Sequence, residues 1–588
     1  GISNPLSYKR HELWEMYYEC KNKCKKLLAE SPWLRKLFLS QKLQSAINEG
    51  RDQEANEIKA IMRGENQRRT WRSIDQGLGK TRTPAPTMVE TEEEIGKVQH
   101  RTKEGVKAAI HEELDTRFDR ASSAPICNGP LFELLGYNAD TEAGMEILEG
   151  TFTPSKGTDP ATIIILNEIA RIYKLMREGK VSIIITKEDF QHYWKRVKER
   201  TASSYSGRHF GHYKSAAHSD YLSEVHARHL ALITKTGATP SRWSKGLSVM
   251  LEKIAGVAVV TKLRAILLME ADFNCHNRLI FANRMMKLAR EHGLVPEEIY
   301  SEKGKTPEDA ILQQVLVYDI ARQLRRPLMV ASVDAAQCYD RIAHAIAALT
   351  LRAYRVPPSS VSSMLEPIQN MEYYLRTGFG ESTTHSGGKD NKKQGTCQGN
   401  TAAPPTWQQI SSLLINAQKH LGHGIDIVSP ISGKKQDQVG ILFVDDTNLW
   451  AGLGEDDDAV ATLAKGQESI NSWGNNLLAV GGELRPDKCK YTVHEMRPAG
   501  NGEWEYVQER VDKGTSATSP ANDTNVDGLW EVNADREDYE QTEITITVPL
   551  INGDAAAIQR LTAQESEKNL GLRVQPDGDC ATQLNAKT

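Results

Sequence analysis

Gln438-Val-Gly-Ile-Leu-Phe-Val-Asp-Asp-Thr-Asn-Leu-Trp450 decides how this chain is read. Residues 439–444 are apolar with β-branched and aromatic members, and Leu449 and Trp450 resume after a polar break, which is a hairpin pattern. The pattern predicts two short strands with Asp445 and Asp446 together at the tight turn. Two adjacent ionised carboxylates repel each other, so a fold that keeps them together gives them cations to bind. Oxygen ligands in a compact acidic site suit Mg²⁺. Asp pairs are also common in solvated turns, and on these residues alone that plain reading is the commoner one.

Upstream, Pro327-Leu-Met-Val-Ala-Ser-Val-Asp334 is an apolar strand ending in an acid. A helix is expected to follow through Tyr339, Asp340, Ile342, Ile346 and Leu349. An acid at the end of a strand is where catalytic carboxylates commonly sit; a simple helix N-cap is the competing reading of Asp334. Strand–Asp–helix plus hairpin–Asp–Asp can bring three carboxylates to one sheet edge. Such a set suits two Mg²⁺ ions, with Mn²⁺ as a substitute, ~3.5–4 Å apart for in-line attack at a phosphate.

Further out, residues 8–75 read as long polar helices. Arg68, Arg69, Trp71 and Arg72 interleave cations with a ring, as a nucleic-acid backbone would require, or as a surface helix with one buried Trp would show. Gly77 to Pro86 is a turn region, and its GLGKT lacks the spacing of a phosphate-binding loop. Residues 90–200 read as acidic helices and turns, with Thr186 as an N-cap leading into a Phe190, Tyr193, Trp194, Val197 core stripe. Residues 201–214 read as a flexible loop able to touch phosphates. Lys253 and Arg264 flank a short extended segment and could reach a triphosphate, or be ordinary edge cations. Thr306-Pro-Glu-Asp309 opens a helix. Gln398 and Gly399 lie in a loop before an apolar helix, where glycine lets the backbone approach a ligand. A helix ends near Gly481-Gly482, and Leu484-Arg-Pro-Asp-Lys488-Cys-Lys490 leads into a strand. Residues 496–545 read as a flexible acidic insertion.

At 588 residues the chain exceeds one core, with ~150 residues per domain as a guide. Hydrophobic residues at 39% and charged residues at 26% describe an ordinary globular chain rather than a disordered one. No apolar run approaches the ~20 residues needed to span a bilayer, so no membrane partner is expected. Gly1-Ile-Ser-Asn-Pro5 is not a signal peptide, and the missing initiator Met reads as a fragment or processed product. Eight cysteines form no disulfide framework, and Cys20 and Cys24 lack a second pair for zinc. They read as free thiols in a reducing, intracellular compartment. The net charge of −4 hides an asymmetry: residues 1–80 carry 16 Lys/Arg against 10 Asp/Glu, and residues 491–588 carry 8 against 18. A basic start is compatible with phosphate contacts, and equally with a solvated helix face.

In order, these pieces resemble the reverse transcriptase domain of non-LTR (LINE-type) retrotransposons, most closely the retroelement reading frames of diatoms, algae and protists. Leu263-Arg-Ala-Ile-Leu-Leu through Phe281-Ala-Asn-Arg-Met resembles the family's fingers motif. Val333-Asp-Ala-Ala-Gln-Cys-Tyr-Asp-Arg-Ile resembles motif A, and Gln398-Gly-Asn-Thr-Ala-Ala-Pro404 motif B. Phe443-Val-Asp-Asp446 resembles motif C, Leu484-Arg-Pro-Asp-Lys-Cys-Lys motif D, and Asn569-Leu-Gly-Leu572 motif E. Ala265, Ala403 and Phe443 depart from the usual Pro, Ser and Tyr, and none of them is a metal ligand. The resemblance implies an α+β fold, a right-hand palm of antiparallel sheet with helices, and fingers. It also implies a helical N-terminal extension and a truncated thumb. The corresponding divisions are 1–80, 81–200, fingers at 201–330, palm at 331–495, an insertion at 496–560 and the motif E segment at 561–588. Asp334, Asp445 and Asp446 would hold two metals, and Lys488 would protonate pyrophosphate. Lys253 and Arg264 would touch the triphosphate, Tyr339 would gate against a 2′-hydroxyl, and Gln398 and Gly399 would shape the nucleotide pocket. Asp340 would be structural. RNA template, DNA primer and dNTP are the implied partners. An RNA-directed RNA polymerase and a decayed element that only binds nucleic acid are the rivals; no endonuclease, RNase H or integrase signature is visible.

Overall fold

The computed structural model describes residues 19, 22, 36–59, 61, 62, 86–93, 96–198, 201, 204–253, 256–383, 386–429, 431–498, 504–507, 544–562, 567–569 and 572–574. The chain divides into two compact units, Gly1–Pro84 and Ala85–Thr588. The first is helical at 36–48 and 52–59 and packs Leu39, Ala46, Ala55 and Ile58 together. The Arg68–Arg72 cluster and all but the last residue of the 77–86 turn lie outside the described residues.

The second unit carries the site. Its strands of interest are β1 (Lys245–Glu252), β2 (Leu263–Leu268), β3 (Leu328–Asp334), β4 (Glu372–Thr377), β5 (Gly440–Phe443), β6 (Asp446–Gly452), β7 (Lys490–His494) and β8 (Gln559–Leu561). Its helices of interest are α1 (Lys103–Asp119), α2 (Pro160–Leu175), α3 (Pro307–Leu324), α4 (His344–Ala353), α5 (Ala403–His420) and α6 (Ala459–Ala479). One sheet runs β5-β6-β3-β7-β8, antiparallel except for the parallel β7–β8 pair.

β3 is central because both of its faces are apolar. Side chains alternate across a strand. Leu328 and Val330 join Ala310, Val317 and Tyr318 of α3, while Met329, Ala331 and Val333 join the main core with Leu463 and Ile470 of α6. A strand covered on both sides reads as a nearly continuous apolar run, as Leu-Met-Val-Ala-Ser-Val does. Helix α4 is buried along all its residues, packed by α2, α5 and the helix Pro358–Gln369. A second sheet runs β2-β1-β4, with β1 and β4 parallel, so the chain leaves the first sheet after α4 to complete the second.

Caps behave as expected: Thr306 with Asp309 and Thr186 with Asp189 both form capping boxes. Phe190 and Trp194 are fully buried.

Several expectations are corrected. The helix after Asp334 does not run through Tyr339 and Asp340 but starts at His344. Gln337 has φ +51°, which breaks a helix, and the Ala336 and Asp340 amides bond to Glu483 and Gln337 carbonyls in a turn. Residues 201–214 are not one loop, since Phe210–Ala216 is helical with Phe210 and Tyr213 packed against Trp194. The start of the 90–200 region is an antiparallel hairpin, Val89–Glu93 with Gly96–His100. Of the 496–545 insertion, Met496–Pro498 and Trp504–Tyr506 pair as strands. Residues 508–543 lie outside the described residues. Glu567–Asn569 pairs with Leu572–Val574, and Leu570 and Gly571 lie outside the described residues.

Candidate active site

In the hairpin, Asp446 pairs with Phe443 on one side and with Asp334 of β3 on the other. The turn is therefore Val444–Asp445, and Asp446 is the first residue of the returning strand rather than a turn residue. Val444 has φ +65° and Asp445 does not share it, the type II′ pattern that suits strand twist and usually takes glycine. A β-branched residue there costs on the order of 1–3 kcal/mol. The Trp407 indole, on α5, donates to the Val444 carbonyl at 2.7 Å and holds the turn. Trp407 was not singled out from the sequence; an aromatic one turn into the helix after Pro404 was the available signal.

Electrostatics follow from this placement. Burial raises the Asp445 carboxyl, and the charge of Asp334 adds to the rise while Lys488 and Lys253 oppose it. Asp446 opens to solvent, yet desolvation by the cleft and then the charges of Asp445 and Asp334 push it up to about 6. Lys488 Nζ donates to Asp334 Oδ2 at 2.7 Å. The Arg485 amide donates to the Asp334 carbonyl at 2.9 Å, so the 483–488 segment wraps the end of β3.

Among the described residues, no three His, Cys, Asp or Glu side chains stand close enough to hold one metal ion. Asp334 Oδ2 is taken up by Lys488 Nζ. The donor set nevertheless fits a hard divalent cation. It consists of carboxylate oxygens, two of them with protonation favoured by burial and by like charge that a cation would relieve. Lys488 would have to leave Asp334 Oδ2 for that oxygen to serve.

Tyr339 is half-buried and lines a cavity with Val444, Trp407, Pro404 and Gln408. Burial pushes its phenol well up, with Cys338 and then Asp445 adding to the rise, so it stays neutral. Its carbonyl accepts from the Thr396 amide at 2.7 Å, which ties the turn after β3 to the loop before α5. The same loop meets Asp340, fully buried and pushed up to about 6 by desolvation, whose Oδ1 accepts from the Gln398 amide at 3.3 Å. That matches the structural part expected of Asp340.

The Leu267 amide of β2 donates to the Gln398 carbonyl at 2.9 Å. Gly399 has φ +124°, and a Cβ there would fall 2.1 Å from the Leu267 carbonyl oxygen. Only glycine lets the loop lie against β2. On the same strand, Arg264 stands opposite Leu251 of β1, is exposed, and makes no ion pair among the described residues. Lys253 follows the end of β1 and is also exposed, and its charge acts on Asp445 and Asp446. Asp334, Asp445, Asp446, Lys488 and Lys253 thus share one neighbourhood, with Tyr339 against the turn. Arg264, Gln398 and Gly399 are joined to it through β2 and the 395–399 loop.

No curated protein matches the chain. Residues 253–524, which contain all nine of these residues, match the family model for reverse transcriptase (RNA-dependent DNA polymerase), so this segment is similar to a reverse transcriptase domain.

Proposed function

We propose that the chain is an RNA-directed DNA polymerase of the non-LTR retrotransposon kind, adding deoxynucleotides to a primer 3′-hydroxyl. The observation that carries the reading is the Asp446–Asp334 pairing, with Asp445 at the adjoining turn and Lys488 on Asp334. In this reading the β5-β6-β3-β7 sheet is the palm and the β2-β1-β4 sheet belongs to the fingers.

Two Mg²⁺ ions on Asp334, Asp445 and Asp446 would supply charge neutralisation at the attacking hydroxyl and the leaving pyrophosphate. The chain's own residues do the rest, which is mainly positioning. Lys253 and Arg264 grip the triphosphate, Arg as a fork and Lys as a point charge. Tyr339, backed by Trp407 and Pro404, leaves no room for a ribose 2′-hydroxyl. The 398–399 backbone, pinned to β2, sets the floor under the incoming base. Lys488 releases Asp334 and gives its proton to the pyrophosphate. RNA template and DNA primer are the partners. No helix among the described residues is long and apolar enough to cross a membrane. Cys127, Cys275, Cys338, Cys397 and Cys489 are free thiols, as an intracellular setting would have them.

The test is primer extension on poly(rA)/oligo(dT) with Mg²⁺ and dTTP. Extension is expected, and the double change Asp445→Asn with Asp446→Asn is expected to abolish it without altering the thermal melt. Undiminished extension by that variant removes the site assignment.

A further inference from the structure

A cavity of about 420 Å³ lies beside this site and shares no lining residue with it. Arg120, Gln337, Arg341 and Arg485 line it, together with the carboxylates Glu483 and Asp487. Both carboxylates are already matched, Glu483 by Arg341 and Asp487 by Arg485 at 2.8 Å. Arg120 is the charge left over. It caps the C-terminus of α1, is half-buried, and donates to the Gln337 side-chain oxygen at 3.1 Å. No carboxylate lies within ion-pair distance of it among the described residues. Burial, and then the like charges of Arg341 and Arg117, hold its guanidinium below the ordinary range, against the pull of Glu113 and Glu483. Arg341 is 4% exposed and its guanidinium is held by Glu483.

A partly desolvated cation with no carboxylate at ion-pair distance is unfavourable unless something arrives to meet it. Guanidinium groups meet phosphate oxygens as two-pronged donors. The cavity's position also fits such a ligand. Ala336 in its wall is two residues past Asp334, and Asp487 is next to Lys488.

We propose that this cavity is a polyphosphate-anion site that takes pyrophosphate, with Arg120 as its ligand and the exposed Arg485 at its mouth. Its use as the way out for the leaving group rests on the polymerase reading; the binding itself does not. A nucleotide's triphosphate tail has the same chemistry, so the test separates the two sources.

The 588-residue chain, free of primer–template, is titrated calorimetrically with sodium pyrophosphate and separately with dTTP. Pyrophosphate is expected to bind. Arg120→Gln is expected to weaken it about ten-fold, the loss of one charge-assisted contact. Arg264→Gln is expected to weaken dTTP and leave pyrophosphate unchanged. If Arg120→Gln melts early, Arg485→Gln takes its place, with a smaller loss of the same sign expected. Unchanged pyrophosphate affinity in a folded Arg120→Gln or Arg485→Gln protein overturns the proposal, as does a loss confined to dTTP. Failure of primer extension with pyrophosphate binding intact would count against the polymerase reading alone.

Discussion

Val444 and Trp407 show how one residue is held where its own conformation resists. The turn places a β-branched residue at φ +65°, and a single indole N–H fixes its carbonyl at 2.7 Å. Trp407→Phe keeps an aromatic ring but removes that bond and part of the indole's bulk. A neutral hydrogen bond contributes ~1 kcal/mol, so the fold should persist. The turn should relax, moving Asp445, and misplacement of that kind costs roughly 10–100-fold in rate. Steady-state primer extension should show that fall in kcat with only a modest fall in the melt. An unchanged kcat would mean that the turn holds itself. Gln337 and Cys397 are likewise non-glycine residues at φ +51° and +65°, in the two loops that meet beside Tyr339. Strain of this kind gathers where surrounding contacts over-determine the backbone.

Among elements, the informative contact is the 395–399 loop against β2 and against the turn after β3. Gly399→Ala brings a Cβ within 2.1 Å of the Leu267 oxygen at a backbone angle that disfavours any side chain. The loop must lift, at a cost of roughly 2–4 kcal/mol. A lower melting temperature and a raised KM for dTTP are the expected readouts, because β2 also carries Arg264, the proposed triphosphate ligand. Asp340 holds the same loop from below. Its carboxyl ordinarily titrates near 3.8 and is pushed up to about 6 by burial, with Arg117 and the Gln398 amide partly countering. The folded state therefore binds this proton more tightly than the unfolded chain. The stability it contributes is present below about pH 4 and is lost as pH rises through about 6. Asp340→Asn keeps the oxygen for the Gln398 amide and removes the titration. Melting curves from pH 4 to 7.5 should decline less steeply in the variant than in the parent. Identical slopes would show that Asp340 is not the group responsible.

For the whole molecule, the division at Pro84 separates two packing clusters with no shared member among the described residues. A chain begun at Ala85 is expected to melt cooperatively within a few degrees of the full protein. Residues 1–80 carry net +6, so the shortened chain should also bind an RNA–DNA duplex more weakly, with a shallower dependence of log affinity on log salt. A parallel salt slope would make the basic start a solvated face and nothing more.

What the amino-acid sequence determined by itself was local. β3 and the β5–β6 hairpin follow from apolar runs broken by acids, and the helix starts at Thr186 and Thr306 follow from caps whose partners lie three residues away. The family resemblance, too, rests on short ordered stretches, and Asp334, Asp445 and Asp446 are named from those stretches alone. What depended on distant contacts was decided only by the tertiary structure. Tyr339 and Asp340 lie in a turn rather than a helix because residues 395–398 and Glu483 take their backbone bonds. Asp334 accepts from Lys488, 154 positions away. Gln398 and Gly399 acquire their constraint from Leu267, and Arg120 its isolation from the pairing of Arg341 with Glu483. Propensity and periodicity act over a few residues. Register, burial and charge pairing act through space, between segments whose order along the chain says nothing of their distance.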